Sequence, residues 1–142
     1  MSAPIFAKSA DVAAMVVRSV EGRPIRGELQ VKSMIKGEDL ALLEINLPAG
    51  AAAPLHVHSH EVLIYVVSGK VETTIGKQVF VLGPGDVCRH PRAVPHSVVA
   101  LLDSRMIEIK APAPHLDQVL GTRASLGGLN RLGTSEKRSE QS

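Results

Sequence analysis

Between residues 29 and 110 the chain is a succession of short apolar segments separated by turns that contain glycine or proline. Residues 39–47 place apolar side chains on one face and Glu44 and Asn46 on the other, and this period of two is typical of a strand. The sequence predicts eight strands, at residues 29–35, 39–47, 62–67, 71–75, 78–82, 87–90, 97–102 and 105–110. This many short strands joined by turns predict an all-β sandwich or barrel.

The flanking segments are less regular. Residues 10–20 are consistent with a helical turn or an outer strand, residues 48–54 with a loop, and residues 115–120 with a short helix. Residues 122–142 are polar and predict a flexible tail, unless its three leucines, at 126, 129 and 132, dock on the barrel or on a second subunit. The prediction is one domain: an N-terminal strand or arm at 1–28, a barrel at 29–112, and a short helix with a polar tail at 113–142.

Composition excludes several classes of function. The net charge of the 142 residues is +2, and there are three aromatic residues, so neither a basic surface for phosphates nor a stacking platform for bases is expected. No apolar stretch approaches the length of about 20 residues that spans a bilayer, and no leader peptide is expected. With one cysteine, Cys88, no internal disulfide can form, which favours the cytoplasm. Cys88 is expected to be a small buried hydrophobe and not a nucleophile.

The histidines are the most informative residues for function. Five of the six lie in two groups, His56, His58 and His60 in one and His90 and His96 in the other. On an extended strand, residues two apart face the same side, so the first group can present its imidazoles together. Imidazole suits zinc, iron, copper and nickel, and a His-x-His pair with a distant histidine can leave open positions on a metal. For His60 the sequence favours an ordinary loop histidine over an additional ligand or a neighbour of the ligands.

Two segments resemble the conserved motifs of the cupins. Residues 50–69 read GAAAPLHVHSHEVLIYVVSG, which is similar to the first motif: glycine, five residues, His-x-His, then glutamate and glycine at characteristic spacings. Residues 82–96 contain Pro-Gly-Asp followed by Pro-His, as in the second motif. The resemblance covers residues 50–100 and implies a small jelly-roll barrel (a double-stranded β-helix), often dimeric, with a metal in its mouth.

The resemblance assigns metal ligands position by position. His56, His58 and His96 match the three histidines of the family, whereas Val62 stands where a glutamate or glutamine is usual. Glu61 is the neighbouring residue, but on a regular strand it points to the face opposite His58, so it is a ligand only if a bulge rotates it. His60 is the other possible additional ligand. The metal is predicted to be iron, zinc, manganese or nickel.

Three neutral ligands leave a divalent metal its full charge for anionic oxygen donors. Some cupin dioxygenases use three-histidine iron, which makes iron-dependent dioxygenation of a small oxygenated metabolite the first hypothesis. A looser likeness of residues 96–112 to cupins that linearise unsaturated uronates supports the alternative, a non-redox isomerase, ring-opening enzyme or cyclase with zinc, manganese or nickel. A binding cupin without turnover is the third hypothesis.

Three further residues are candidates for catalysis. His90 either reaches the cavity as a base or substrate contact or faces outward. Tyr65 is expected to pack in the core or at the rim, and secondarily to act as an acid. Arg92, with Arg89, can clamp a substrate carboxylate, although a solvated arginine is the ordinary alternative. The expected partners are a small-molecule substrate and a second copy in a homodimer, with no nucleic acid and no membrane.

Overall fold

The fold is given by a computed structural model that describes residues 4–122. Apart from one turn of 3-10 helix at Ser9–Asp11 and a four-residue helix, α1 (Leu116–Val119), these residues form strands and their connections. The strands are β1 (Met15–Val20), β2 (Arg23–Lys36), β3 (Ala41–Leu47), β4 (Ala52–His56), β5 (Glu61–Ser68), β6 (Val71–Ile75), β7 (Gln78–Leu82), β8 (Val87–His90), β9 (His96–Ala100), β10 (Ser104–Ala111) and β11 (Leu120–Thr122). The predicted polar tail beyond Thr122 lies outside the described residues.

All strand pairs are antiparallel and follow the order β7-β6-β9-β4-β2-β3-β10-β5-β8, with β1 against β2 and β11 against β1. The long strand β2 joins the two halves, because Arg26 pairs with β4 while residues 30–36 pair with β3. The sheet curls into a nearly closed barrel around one interior. The predicted all-β jelly-roll barrel is confirmed.

Alternation along the strands places the core. In β3 every second residue is buried, as the sequence predicts, and in β5 Val62, Ile64 and Val66 are buried while their neighbours are exposed or half-buried. These inward residues form one aliphatic core that fills most of the barrel.

The eight predicted strands are all present. Seven differ from the prediction by at most two residues at an end, whereas β2 begins at Arg23, six residues before the predicted start, and α1 lies within the predicted helical segment. Residues 10–20 contain both expected alternatives, part of the 3-10 turn and then β1. The predicted loop at 48–54 was wrong in part, because β4 begins at Ala52. Pro54 is tolerated there since the pairing of β4 with β9 is irregular between Ala53 and His56, where no backbone donor is needed.

The sheet continues beyond residues 29–112. Strand β2 crosses position 28, and β1 pairs with β11. Among the described residues, no helix is long and apolar enough to cross a membrane.

Candidate metal centre

Three histidines meet inside one end of the barrel. His56 ends β4, His58 lies in the connection to β5, and His96 begins β9 directly opposite His56. All three are buried, and their ring centroids lie 4.2–4.9 Å apart. One ligand atom from each lies within 4.8 Å of the others. The structure therefore brings together the three histidines that the motif resemblance selects.

The alternation expected for the first histidine group is present although the regular strand ends at His56. His56, His58 and His60 are buried. Leu55, which precedes His56, and Val57, which lies between His56 and His58, are about half exposed. The chain leaves β4 after His56 and bends at Ser59 and His60, and the three imidazoles nevertheless lie on the buried side.

Backbone carbonyls orient two of the three rings. The Nδ1–H of His56 donates to the carbonyl oxygen of Pro54 at 2.6 Å, and that of His96 donates to Val94 at 3.1 Å. A neutral imidazole that donates from Nδ1 keeps its lone pair on Nε2. Both rings therefore offer Nε2 to a metal.

The third ring is oriented by a carboxylate. The Nδ1 of His58 lies 2.6 Å from Oε2 of Glu21, which stands in the turn between β1 and β2. The turn is held by a hydrogen bond from the Glu21 backbone N–H to the carbonyl oxygen of Val119. Carboxylate–histidine pairs of this kind fix the ring and raise its basicity toward a metal. Sequence analysis missed Glu21, because no local pattern links residues 37 positions apart.

Burial keeps the imidazoles neutral. It lowers the pKa of His56 and His60 to about 4 and the pKa of His90 to about 3. Burial also lowers the pKa of His58 and of His96. Metal ligation requires unprotonated imidazole, so these rings are in the required form at neutral pH.

The donor set fits a divalent transition metal. Three neutral nitrogen ligands converge, and Val62, at the position where cupins usually have a carboxylate, is buried and apolar. Such a set suits zinc, iron, nickel or copper at ligand distances of about 2.0–2.1 Å for zinc and leaves coordination positions open.

His60 lies beside this cluster but outside it. Its ring stacks on His58 with 4.2 Å between centroids, and its Nε2 has no hydrogen-bond partner in the described part of the chain. His60 does not belong to the group whose ligand atoms lie within 4.8 Å of one another. The ring of His58 therefore links His60 to the cluster, and His60 contributes no nitrogen to it.

His90 faces the interior, which is one of its two expected positions. It is 3% exposed and stacks on His96 with 4.1 Å between centroids. Because the Thr73 hydroxyl donates to the carbonyl oxygen of Ser97, it accepts from Nε2–H of His90 at 2.9 Å. This tautomer leaves the lone pair of His90 on Nδ1.

Three candidate residues of the sequence analysis, Tyr65, Arg92 and Glu61, lie outside the cavity, and Glu61 faces away from His58 as the strand alternation predicts. Tyr65 is 49% exposed, because it alternates with the inward residues Ile64 and Val66. Arg92 is exposed in the loop before β9. Glu61 faces outward and forms an ion pair with Arg89 at 3.0 Å, so no bulge turns it toward His58.

Two charged residues that sequence analysis missed do face the interior. Glu108 and Lys110 lie on β10 in phase with buried Met106, and they line the same cavity as His56, His58, His90 and His96. The cavity has a volume of about 50 Å³ and is otherwise lined mainly by aliphatic side chains. The sequence of β10 favours the reverse orientation, since Ile107 and Ile109 share one face, while Met106 shares the other face with Glu108 and Lys110.

Cys88, on β8, is half-buried and has no disulfide partner. Burial raises the pKa of its thiol to about 11, which keeps the thiol protonated at neutral pH.

Comparison with protein families matches residues 43–109 to the cupin domain. The barrel is a cupin domain. A cupin described as RmlC-like, from Shewanella frigidimarina, has 23% identity and a TM-score of 0.70, covering 81% of this chain and 97% of the other. A predicted oxalate decarboxylase from Thermotoga maritima has 16% identity and a TM-score of 0.68, covering 76% and 99%.

The polyketide cyclase RemF from Streptomyces resistomycificus shares 24% identity with a TM-score of 0.62, covering 79% of this chain and 80% of the other. No curated protein matches the sequence significantly. At these identities the structural neighbours establish the cupin fold, and the chemistry of this cupin has to be argued from its own site.

Proposed function

We propose that this cupin is a metal-dependent enzyme for a small oxygenated metabolite, with His56, His58 and His96 as metal ligands. The convergence of three imidazoles whose Nδ1 atoms are all engaged carries the proposal, because it points three Nε2 lone pairs at one place. A divalent ion bound there supplies Lewis acidity for a carbonyl, enolate or carboxylate oxygen.

The reaction that the cavity favours is a non-redox proton transfer next to a carbonyl group. His90 supports this choice, since it lines the cavity and its Nε2–H is fixed by Thr73, which leaves the lone pair of the ring on Nδ1. A fixed neutral imidazole with a pKa of about 3 is a weak base, but it can accept a hydrogen bond from the enol or hydroxyl group of a substrate held at the metal. The structural neighbour named as a polyketide cyclase is consistent with this class of reaction.

Iron-dependent dioxygenation, the first hypothesis from the sequence, is the second candidate. Buried Val62 favours it, because an apolar residue in place of a fourth ligand leaves room at the metal for both substrate and oxygen. The predicted homodimer stays a prediction.

Elemental analysis tests the metal site. Protein prepared anaerobically without chelator is incubated with ferrous iron, manganese, cobalt, nickel or zinc and then desalted. We expect close to one ion per chain in the wild type and loss of the ion in His56→Ala/His58→Ala. No bound metal in the wild type with any ion would overturn the proposal, leaving a cupin that binds its ligand by shape.

The metal-loaded protein then distinguishes the two reactions. We expect exchange of the methyl protons of pyruvate in deuterated water, followed by NMR, and loss of that exchange in His90→Gln. Oxygen uptake with acetylacetone or catechol on the iron-loaded protein, without proton exchange, would favour dioxygenation instead.

A further inference from the structure

Lys110 is a buried cation on the inner face of the barrel. Its side chain is 4% exposed, and its Nζ lies 3.1 Å from Oε1 of Glu108, whose side chain is 12% exposed. Among residues 4–122, Lys110 is the only lysine or arginine that is buried. Charged side chains are almost never buried to this extent unless they are paired.

Packing does not require this ion pair. The residues paired with Lys110 across the sheet are Ala41 and Val62, and those paired with Glu108 are Leu43 and Ile64. An aliphatic pair on β10 would fit among these neighbours. Replacing a buried ion pair by apolar side chains is often neutral or stabilising. The desolvation of Lys110 and Glu108 therefore opposes folding, and packing of the core alone does not explain why the pair is present.

The pair stands next to the metal centre. Both residues line the cavity that the metal-binding histidines and His90 line. Burial is the main cause of the lowered pKa of His58 and of His96. The positive charge of Lys110 adds to the lowering in both, and the negative charge of Glu108 offsets part of it at His96. With a divalent ion present, the cavity would carry a positive charge that Glu108 alone does not neutralise, which favours an anionic ligand.

We propose that Lys110 binds the carboxylate of the substrate, so that the substrate is a small carboxylic acid with a second oxygen donor for the metal. In the free protein, the ammonium group of Lys110 forms an ion pair with the Glu108 carboxylate, which holds it in the cavity. When a substrate enters, its carboxylate accepts some of the hydrogen bonds that the Lys110 ammonium group donates. This inference rests on the proposed function, since it places one end of the substrate at the metal.

The size of the cavity limits the acid. A volume of about 50 Å³ corresponds to roughly four water molecules at about 10–15 Å³ each. The aliphatic lining beneath the charged groups offers no further polar partner, so acids of a few carbon atoms fit best.

Malonate tests the proposal, because it offers two carboxylates on a three-carbon chain, and malonamide is its uncharged counterpart. Calorimetric titration is done on the cobalt-loaded protein and on the metal-free protein. We expect malonate to bind at least tenfold more tightly than malonamide. Lys110→Met should weaken malonate binding at least tenfold, and Lys110→Arg should restore it to within a few-fold of the wild type.

Two further variants complete the test. Lys77→Met removes the same charge from an exposed turn and should leave malonate affinity unchanged. Glu108→Gln removes the internal competitor for Lys110 and should tighten malonate binding, a result that does not depend on the folding of Lys110→Met.

Equal affinity of the wild type for malonate and malonamide would overturn the proposal, as would a folded Lys110→Met that binds malonate like the wild type. Weaker binding in Glu108→Gln would also contradict it. Failure of the metal site is distinguishable, because it appears as missing cobalt in the wild type, whereas the dependence of malonate affinity on Lys110 is measured with and without metal.

Discussion

The interior of this barrel has two ends with opposite chemistry. One, the aliphatic end, consists of Ile45, Leu47, Val66, Val71, Ala100 and Met106, of which Ile45, Leu47 and Met106 also line the cavity that reaches the other end. The other, the histidine end, consists of His56, His58, His60, His90 and His96, together with Glu108 and Lys110. Strand β10 runs through both, and in four residues its inner face changes from Met106 to Lys110.

The comparison separates stability from function. The aliphatic end removes apolar surface from water and stabilises the fold at any pH. The histidine end buries polar rings and an ion pair, which opposes folding unless hydrogen bonds or a ligand compensate. Acid, mutation and metal should therefore act differently on the two ends.

Acid should act on the histidine end with the largest effect. The pKa values of His56, His60 and His90 are about 4, 4 and 3 in the fold, against about 6.5 in an unfolded chain. Unfolding therefore takes up protons below pH 6.5, and stability is lost as the pH falls from there toward 4 and 3. For the metal-free protein we expect a loss of roughly 2 kcal/mol per histidine between pH 7 and pH 5.

Denaturant unfolding at several pH values measures this loss. His115→Gln changes an exposed histidine and should leave the pH dependence as it is. A free energy of unfolding that stays constant between pH 7 and pH 5 would contradict the prediction.

Removing a metal ligand should have the next largest effect. We expect His96→Ala to lower metal affinity on the order of a thousandfold, because one of three converging nitrogens is lost. His60→Gln is the matched control within the histidine end and should change affinity less than tenfold, since its nitrogen lies outside the cluster. Competition with a chromophoric chelator gives both constants, and equal losses in the two variants would refute the assignment.

A cavity at the aliphatic end should lower stability and leave the metal site intact. Leu47 is 2% exposed, and Leu47→Ala should reduce the free energy of unfolding by about 3 kcal/mol. Metal content per folded chain should remain that of the wild type. Loss of metal in a folded Leu47→Ala protein would show that the two ends are not independent.

The Glu21 carboxylate should matter less than a direct ligand. Glu21→Gln weakens the hydrogen bond that orients His58, and we expect metal affinity to fall by about 10–100-fold. Glu38→Gln, an exposed change of the same kind, is the control. Wild-type affinity in Glu21→Gln would mean that packing alone orients the His58 ring.

The smallest effect is expected outside the barrel. Glu61 and Arg89 form an ion pair whose side chains are 39% and 57% exposed. Glu61→Gln should change stability by less than about 1 kcal/mol and leave metal affinity unchanged. A large loss of metal in this variant would place Glu61 among the ligands after all.

The sequence by itself determined most of the strands and the spacing of two of the three candidate metal ligands. Alternating side chains and turn residues are local signals, so the eight predicted strands could be placed before the barrel was known. The spacing of His56 and His58 is also local, since residues two apart on an extended chain share a side. Adding His96 required the resemblance to a family, because its distance from His56 along the chain says nothing about contact.

Only the tertiary structure decided which face of the remaining strands is inside. Residues 62–67 are all apolar, so alternation could not tell that Tyr65 points outward. On β10 the positions of Ile107 and Ile109 suggest that their face is the inner one, but both are partly exposed while Lys110 on the other face is buried. The phase follows from the closure of the barrel, which fixes Met106 in the core and thereby carries Glu108 and Lys110 inward. Glu21 reaches His58 for the same reason, because β1 and β2 fold over the cavity and bring distant residues into hydrogen-bonding contact.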